Sequence, residues 1–225
     1  MPAANVIRLR TLLSDKFSGL RLHLGKPPTT KNKFWPTGLP AIDEPLQGGL
    51  PKGALSEIVN PGKSCGGTTL LHELLRRAAQ ENQIVALIDG NDSLDVTQIE
   101  ESLLPRLLWV RAHSAREALQ AADFILRDSN LSLVLLDLKI NSEPELRKIP
   151  ATAWYRLQRI VEESALVCVV FTRRGMVASA QARITLHSRF NLGALERDAE
   201  DLLRELKCEI SDARHYQESV SQNVA

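Results

Sequence analysis

The chain of 225 residues contains no long apolar run, and nothing in it approaches the ~20 consecutive apolar residues of a membrane-spanning helix. Met1 to Leu13 lack the apolar centre of a secretory leader. Cysteine is scarce. Cys65, Cys168 and Cys208 are odd in number and widely spaced, which fits neither a disulfide framework nor a zinc pattern and points to a reducing cytosol. An excess of one charge is also missing, since 28 Lys and Arg face 27 Asp and Glu for a formal net charge of +1. There is therefore no global pull toward nucleic acid or membrane, and any DNA contact must come from a local patch. With 44% apolar residues the chain has enough for a full core. The expectation is a soluble cytoplasmic protein, with Cys168 a core residue inside its apolar run.

A further absence is more specific. Glu57-Ile58-Val59-Asn60-Pro61-Gly62-Lys63-Ser64-Cys65-Gly66-Gly67-Thr68-Thr69-Leu70 has the outline of a phosphate-binding loop without its key charge. An apolar strand runs into a Gly/Ser-rich turn, and a helix then opens at Thr68-Thr69. In the GxxxxGK[ST] pattern, backbone amides wrap the phosphates, the lysine reaches the outer oxygens and the hydroxyl holds Mg²⁺. With Thr68 as the hydroxyl, Gly66 is the last glycine, Gly67 stands where the lysine belongs and Pro61 where the first glycine belongs. Lys63-Ser64 does not rescue the pattern, because the position five before Gly62 is Glu57, inside the strand.

Along the chain, Val6, Leu9, Leu12 and Leu13 fall at helical spacing, which predicts a short amphipathic helix over residues 3–17. Gly25 to Trp35 holds two prolines and three lysines and reads as a linker. The expected organisation is an N-terminal helix and linker (1–35), a core domain (36–216) and a polar tail (217–225). Within the core domain, strands at 55–59, 84–89, 107–111, 132–138 and 166–172 alternate with helices at 68–81, 95–103, 114–128 and 151–164. Further strands are expected at 182–187 and 206–210, with a charged helix at 194–204 between them. Continuous apolar runs such as Leu133-Val134-Leu135-Leu136 suit strands buried on both faces. Alternation of this kind means an α/β fold with a mostly parallel twisted sheet flanked by helices and closed by antiparallel C-terminal strands.

Thr37-Gly38-Leu39-Pro40-Ala41-Ile42-Asp43, followed by Gly48-Gly49-Leu50-Pro51-Lys52-Gly53, resembles the motif that precedes the phosphate loop in the RecA family. The resemblance continues through Ile88 to Asp95 and the Walker-B-like strand Leu133 to Asp137, covering residues 37 to 210. It implies a RecA-like fold with nucleotide-site positions at Gly66, Gly67, Thr68, Thr69, Asp95 and Asp137. Three positions of this site depart from the family pattern. Gly67 replaces the phosphate lysine, and losing such a charge-assisted bond costs roughly 1.5–3 kcal/mol, or about ten- to hundredfold in affinity. Asn91 replaces the glutamate that orients the attacking water, and an amide accepts no proton. Gln98 replaces the aromatic that stacks on adenine. The expectation is no catalytic residue and no required cofactor, with weak ATP–Mg²⁺ affinity left open.

The family's DNA-binding loops correspond to Lys139–Pro150, with Arg147 and Lys148, and to the short Arg173–Ser179, with Arg173 and Arg174. Such side chains suit phosphate contacts, although the second loop has no aromatic to stack on bases. Within the family the chain resembles the ImuA-like group, with the SulA division inhibitors as distant kin. Two stretches carry this: Leu107 to Asp123, where Ser114 and Glu117 form a capping box, and Ala182 to Ser188. The resemblance implies a damage-tolerance accessory factor whose partners are a Y-family polymerase-like protein and the recombinase RecA. Trp154, Tyr155, Arg156 and Arg159 have the composition of an interface anchor. Three other readings stay open: an atypical ATPase using Lys63, a SulA-like division inhibitor and a plain DNA-binding module.

Overall fold

The computed structural model describes residues 33–128 and 130–212. The expected N-terminal helix and polar tail, and most of the linker, lie outside the described residues. The chain enters through a two-stranded antiparallel ribbon, β1 (Phe34–Trp35) with β2 (Leu50–Pro51), around the single turn α1 (Pro40–Asp43). That turn is fixed by Asp43, whose carboxylate accepts hydrogen bonds from the Thr37 amide and hydroxyl and from the Gly38 amide.

The members of the main sheet are β3 (Ala54–Val59), β4 (Val85–Asp89), β5 (Leu107–Arg111), β6 (Leu133–Asp137), β7 (Val167–Thr172), β8 (Ala182–Leu186) and β9 (Cys208–Asp212). They lie in the order β5-β4-β6-β7-β3-β8-β9. The sheet is built around strands buried along their whole length, β3, β4, β6 and β7, with less buried strands toward its edges. Every pairing is parallel except β8 with β9. Of the two C-terminal strands expected to be antiparallel, only β9 is. β8 crosses to the far side of β3 and runs parallel to it.

Helices cover both faces. On one lies α2 (Gly67–Gln80), whose Leu70, Leu71, Leu74, Leu75 and Ala78 recur at helical spacing and are all buried. They pack on Ile58, Leu87, Leu135, Val169 and Phe171. On the other face lie α3 (Ala115–Ile125) and α5 (Ala151–Glu162), against Leu55, Ile88, Val134, Leu136 and Val170. Adjacent strand residues thus feed opposite cores, as the period of two requires. Cys168 sits in the second core, where burial pushes its thiol up to about 12 and keeps it an inert apolar residue. The short helices α4 (Glu143–Leu146) and α6 (Ala199–Arg204) complete the set.

Two expected helices are broken. Residues 95–103 form separate 3₁₀ turns, Val96–Gln98 and Glu101–Arg106, because Asp95 caps the first within two residues and Pro105 denies the second an α-helical ladder. Residues 194–204 divide into a 3₁₀ turn, Leu192–Glu196, and α6. The capping box at α3 is shifted by one residue. Ser114 accepts from the Glu117 amide at 3.2 Å, whereas Glu117 reaches back to the His113 amide at 3.0 Å.

The parallel strands share one direction, so the loops after β3, β4, β6, β7 and β8 open along one edge. Ligands of α/β sheets bind at this carboxyl edge.

Candidate functional site

The loop between β3 and α2 turns at Ser64 and Gly66, whose φ values of 57° and 92° are left-handed. At Gly66 a Cβ would also come within 2.7 Å of Leu206, so the residue is glycine on both counts. Gly67 begins α2 with no room for a side chain. A Cβ there would lie 1.7 Å from Asn60 Oδ1. The Asn60 amide is held in place from behind, its Nδ2 donating to the Ile58 and Thr172 carbonyls at 3.0 and 3.2 Å. The position of the phosphate lysine is thus empty of charge and blocked by a fixed neighbour.

At the end of β6, Lys139 takes both oxygens of Asp137. Its backbone amide donates to Oδ1 at 3.1 Å and its ammonium to Oδ2. The ammonium also stands 5.9 Å from the centre of the Phe171 ring, within reach of its π face. Of the groups that would hold Mg²⁺-ATP, the Thr68 hydroxyl is present and the others are altered. The carboxylate that would hold the ion is paired with Lys139, the lysine position has no side chain, and Asn60 fills the space beside it.

What remains is an open cleft of about 1120 Å³ over the loop. Gly66, Gly67, Thr68 and Thr69 floor it, Lys63, Lys139 and Arg173 bring positive charge, and the segment after β8 forms the opposite wall. That segment is tied down by the Phe190 amide, which donates to the Ser64 carbonyl at 3.0 Å. Asp137 lies behind Lys139. Asp95 does not line the cleft: it caps the Val96–Gln98 turn by accepting from the Thr97 hydroxyl and amide, which also hold its carboxyl below the usual range. Asn91, at the position of the catalytic glutamate, is exposed in the turn after β4.

His72, half-buried on α2, is pushed below its ordinary 6.5, first by burial and then by the Lys139 charge, with Asp95 opposing. The unfolded chain therefore binds this proton more readily than the folded one. The contribution to stability is complete above pH 6.5 and is lost as pH falls through the folded-state value. Thermal unfolding from about pH 7 to about pH 5 is expected to show a falling Tm, and His72→Gln a shallower fall. An identical slope in the variant would remove His72 from the account.

A family model described as the RecA N-terminal domain matches residues 14–146, over half of the chain. The chain belongs to this family. Among curated relatives, RecA of Bifidobacterium breve is 31% identical over 122 residues, which are 53% of this chain and 31% of that protein. RecA of Cutibacterium acnes is 34% identical over 122 residues, 53% of this chain and 35% of the relative. RecA of Methylococcus capsulatus is 34% identical over 105 residues, 45% and 30%. The chain thus spans about a third of the length of the curated relatives it matches. Among solved structures, the RadB recombinase aligns with a TM-score of 0.52 at 16% identity, covering 68% of this chain and 84% of that one, a likeness of fold.

In this RecA-family chain the two candidate DNA loops meet. Arg147 and Arg174 both pair with Glu143, at 3.2 and 2.8 Å, so one carboxylate offsets both. Lys148 and Arg173 are exposed and enter no ion pair among the described residues. The second loop is anchored from below by Glu57. This carboxylate is wholly buried on β3 and accepts from the Thr172 hydroxyl at 2.9 Å, the Met176 and Val177 amides at 2.7 and 3.2 Å, and Arg183 Nε at 2.7 Å.

The expected partner anchor needs correction at its centre. Trp154 is 1% exposed, packed in the core between α5 and the sheet. The helical period turns it inward while Tyr155, Arg156 and Arg159 stay exposed. Arg156 is committed to Asp123 of α3 through two bonds of 2.7 and 3.0 Å.

Sequence reasoning missed Asn60, Lys139, Leu192 and Leu195 as parts of the site. Lys139 had a signal, lying two residues after the Walker-B aspartate. The rest depend on which loops fold over the phosphate loop.

Proposed function

We propose that this RecA-family chain is a non-hydrolysing accessory protein of mutagenic DNA-damage tolerance. On this reading it belongs to the ImuA-like group and works in the cytoplasm without a cofactor. It contacts a Y-family polymerase-like protein and the RecA recombinase. The observation that carries the reading is the Lys139–Asp137 pair. An ammonium on the metal-binding carboxylate competes with Mg²⁺ for Asp137, which supports a cleft that keeps the Thr68 hydroxyl but lacks phosphoryl transfer. Asn60 against Gly67 supports the same conclusion. A protein that keeps a RecA-like scaffold without this chemistry acts through its surfaces.

The test is capture of the tagged chain from DNA-damaged cells, with bound proteins identified by mass spectrometry. Recovery of the polymerase-like protein or the recombinase is the expected result. Recovery of the division GTPase instead would move the function to division inhibition.

A second reading rests on Lys63, which lines the cleft and supplies the missing charge of an atypical ATPase. It requires turnover that disappears in Lys63→Ala.

A further inference from the structure

The wall of the cleft opposite the phosphate loop is a feature that the nucleotide site does not need. The 3₁₀ turn Leu192–Glu196 has three residues per turn, so Leu192 and Leu195 stand one above the other on its outer side. They are 84% and 83% exposed, while Ala194 between them is buried and fixes the turn to the domain. Ile140, 52% exposed, faces the same cleft from the loop after β6. Three large apolar side chains around one concave site form an interaction surface, since scattered singles are ordinary but a rimmed group is not. The same cleft is lined by two cations, Lys63 and Arg173, that are exposed and enter no ion pair among the described residues.

Resting on the accessory-protein reading, we infer that this cleft is a docking groove for an acidic, leucine-bearing segment of a partner protein. The leucines and Ile140 take the apolar side chains of that segment, and Lys63 and Arg173 take its carboxylates. Charge complementarity selects this occupant. A symmetric second copy is disfavoured, because a two-fold contact would bring the cationic cleft against itself. Nucleic acid is disfavoured because the most exposed large side chains of the rim, Leu192, Leu195 and Ile140, are aliphatic, and Phe190, part-buried in the lining, offers a single ring for stacking. The arrangement follows helix-in-groove recognition, where apolar anchors give affinity and flanking charges set register.

The test measures binding of the full chain to the purified polymerase-like protein and recombinase encoded in the same genome. It compares wild type, Leu192→Asp with Leu195→Asp, and Lys63→Glu with Arg173→Glu. Leu192 and Leu195 are solvent-facing, so unchanged thermal unfolding will separate lost binding from lost folding. Each double variant is expected to weaken one partner by roughly tenfold or more. The wild-type affinity should fall with salt, and a photo-cross-linker at 195 should label an acidic segment of that partner.

If both double variants bind as wild type does, the groove is overturned while the accessory-protein reading stands. If wild type binds neither partner, that reading falls and the groove with it. Concentration-dependent dimerisation lost in the leucine variant, or a cross-link from 195 to an oligo-dT strand in place of the partner, would also overturn the proposal.

Discussion

Replacing Glu57 by alanine is expected to cost about 3–5 kcal/mol, because it leaves a largely buried guanidinium without its counter-charge. The prediction rests on the four groups that converge on this carboxylate. Thr172, Met176, Val177 and Arg183 come from β7, the loop after it and β8, so one side chain on β3 ties three segments together. Arg183 is only 17% exposed and cannot recover full hydration when its partner is removed. For a domain of this size the loss corresponds to a fall in Tm of roughly 10 °C. Residues 173–181 should also become the first site of proteolytic cleavage. Glu57→Gln should lie between wild type and alanine, since an amide keeps one acceptor but turns a donor or an uncharged oxygen toward Arg183. Thermal unfolding with limited proteolysis reads both effects. A loss below about 1 kcal/mol for Glu57→Ala would mean that water replaces the network and that the loop is held otherwise.

Restoring the missing lysine is expected to fail. In Gly67→Lys, the new Cβ meets Asn60 Oδ1 at 1.7 Å, and Asn60 is held by two backbone carbonyls. Forcing the two together should cost about 1–3 kcal/mol of stability without raising nucleotide affinity. Asp137 would in any case still carry Lys139. The triple variant Asn60→Gly, Gly67→Lys, Lys139→Ala removes the obstruction, supplies the phosphate charge and frees the carboxylate. It should bind a fluorescent ATP analogue with Mg²⁺ roughly ten- to hundredfold more tightly than wild type, the worth of one charge-assisted bond. Equal gains in the single and triple variants would show that neither Asn60 nor Lys139 obstructs the site.

How legible these features were follows from the range of the interactions behind them. The central parallel strands β4, β6 and β7 are readable because each is a short, almost continuous apolar run, and burial on both faces leaves no other use for such a run. The outline of the phosphate loop and its absent lysine are also local. The Asn60 obstruction is not, since it depends on Thr172, 112 positions away, accepting the amide. Glu57 offered a clue, a carboxylate in an apolar strand, but its partners arrive only when β7 and β8 flank β3. Trp154 was misplaced because composition favours tryptophan at interfaces, whereas the phase of α5 turned it to the core. Leu192 and Leu195 went unnoticed because a continuous α-helix was expected from 194. The 3₁₀ period is what aligns them outward.

Whether this RecA-family cleft carries out phosphoryl transfer is read from steady-state ATP turnover of the purified chain with Mg²⁺, with and without single-stranded DNA. A rate at buffer background is expected in both conditions, unchanged by Lys63→Ala or Asp137→Asn. Turnover above background that either substitution abolishes would contradict this expectation and make the protein an ATPase with an unusual loop.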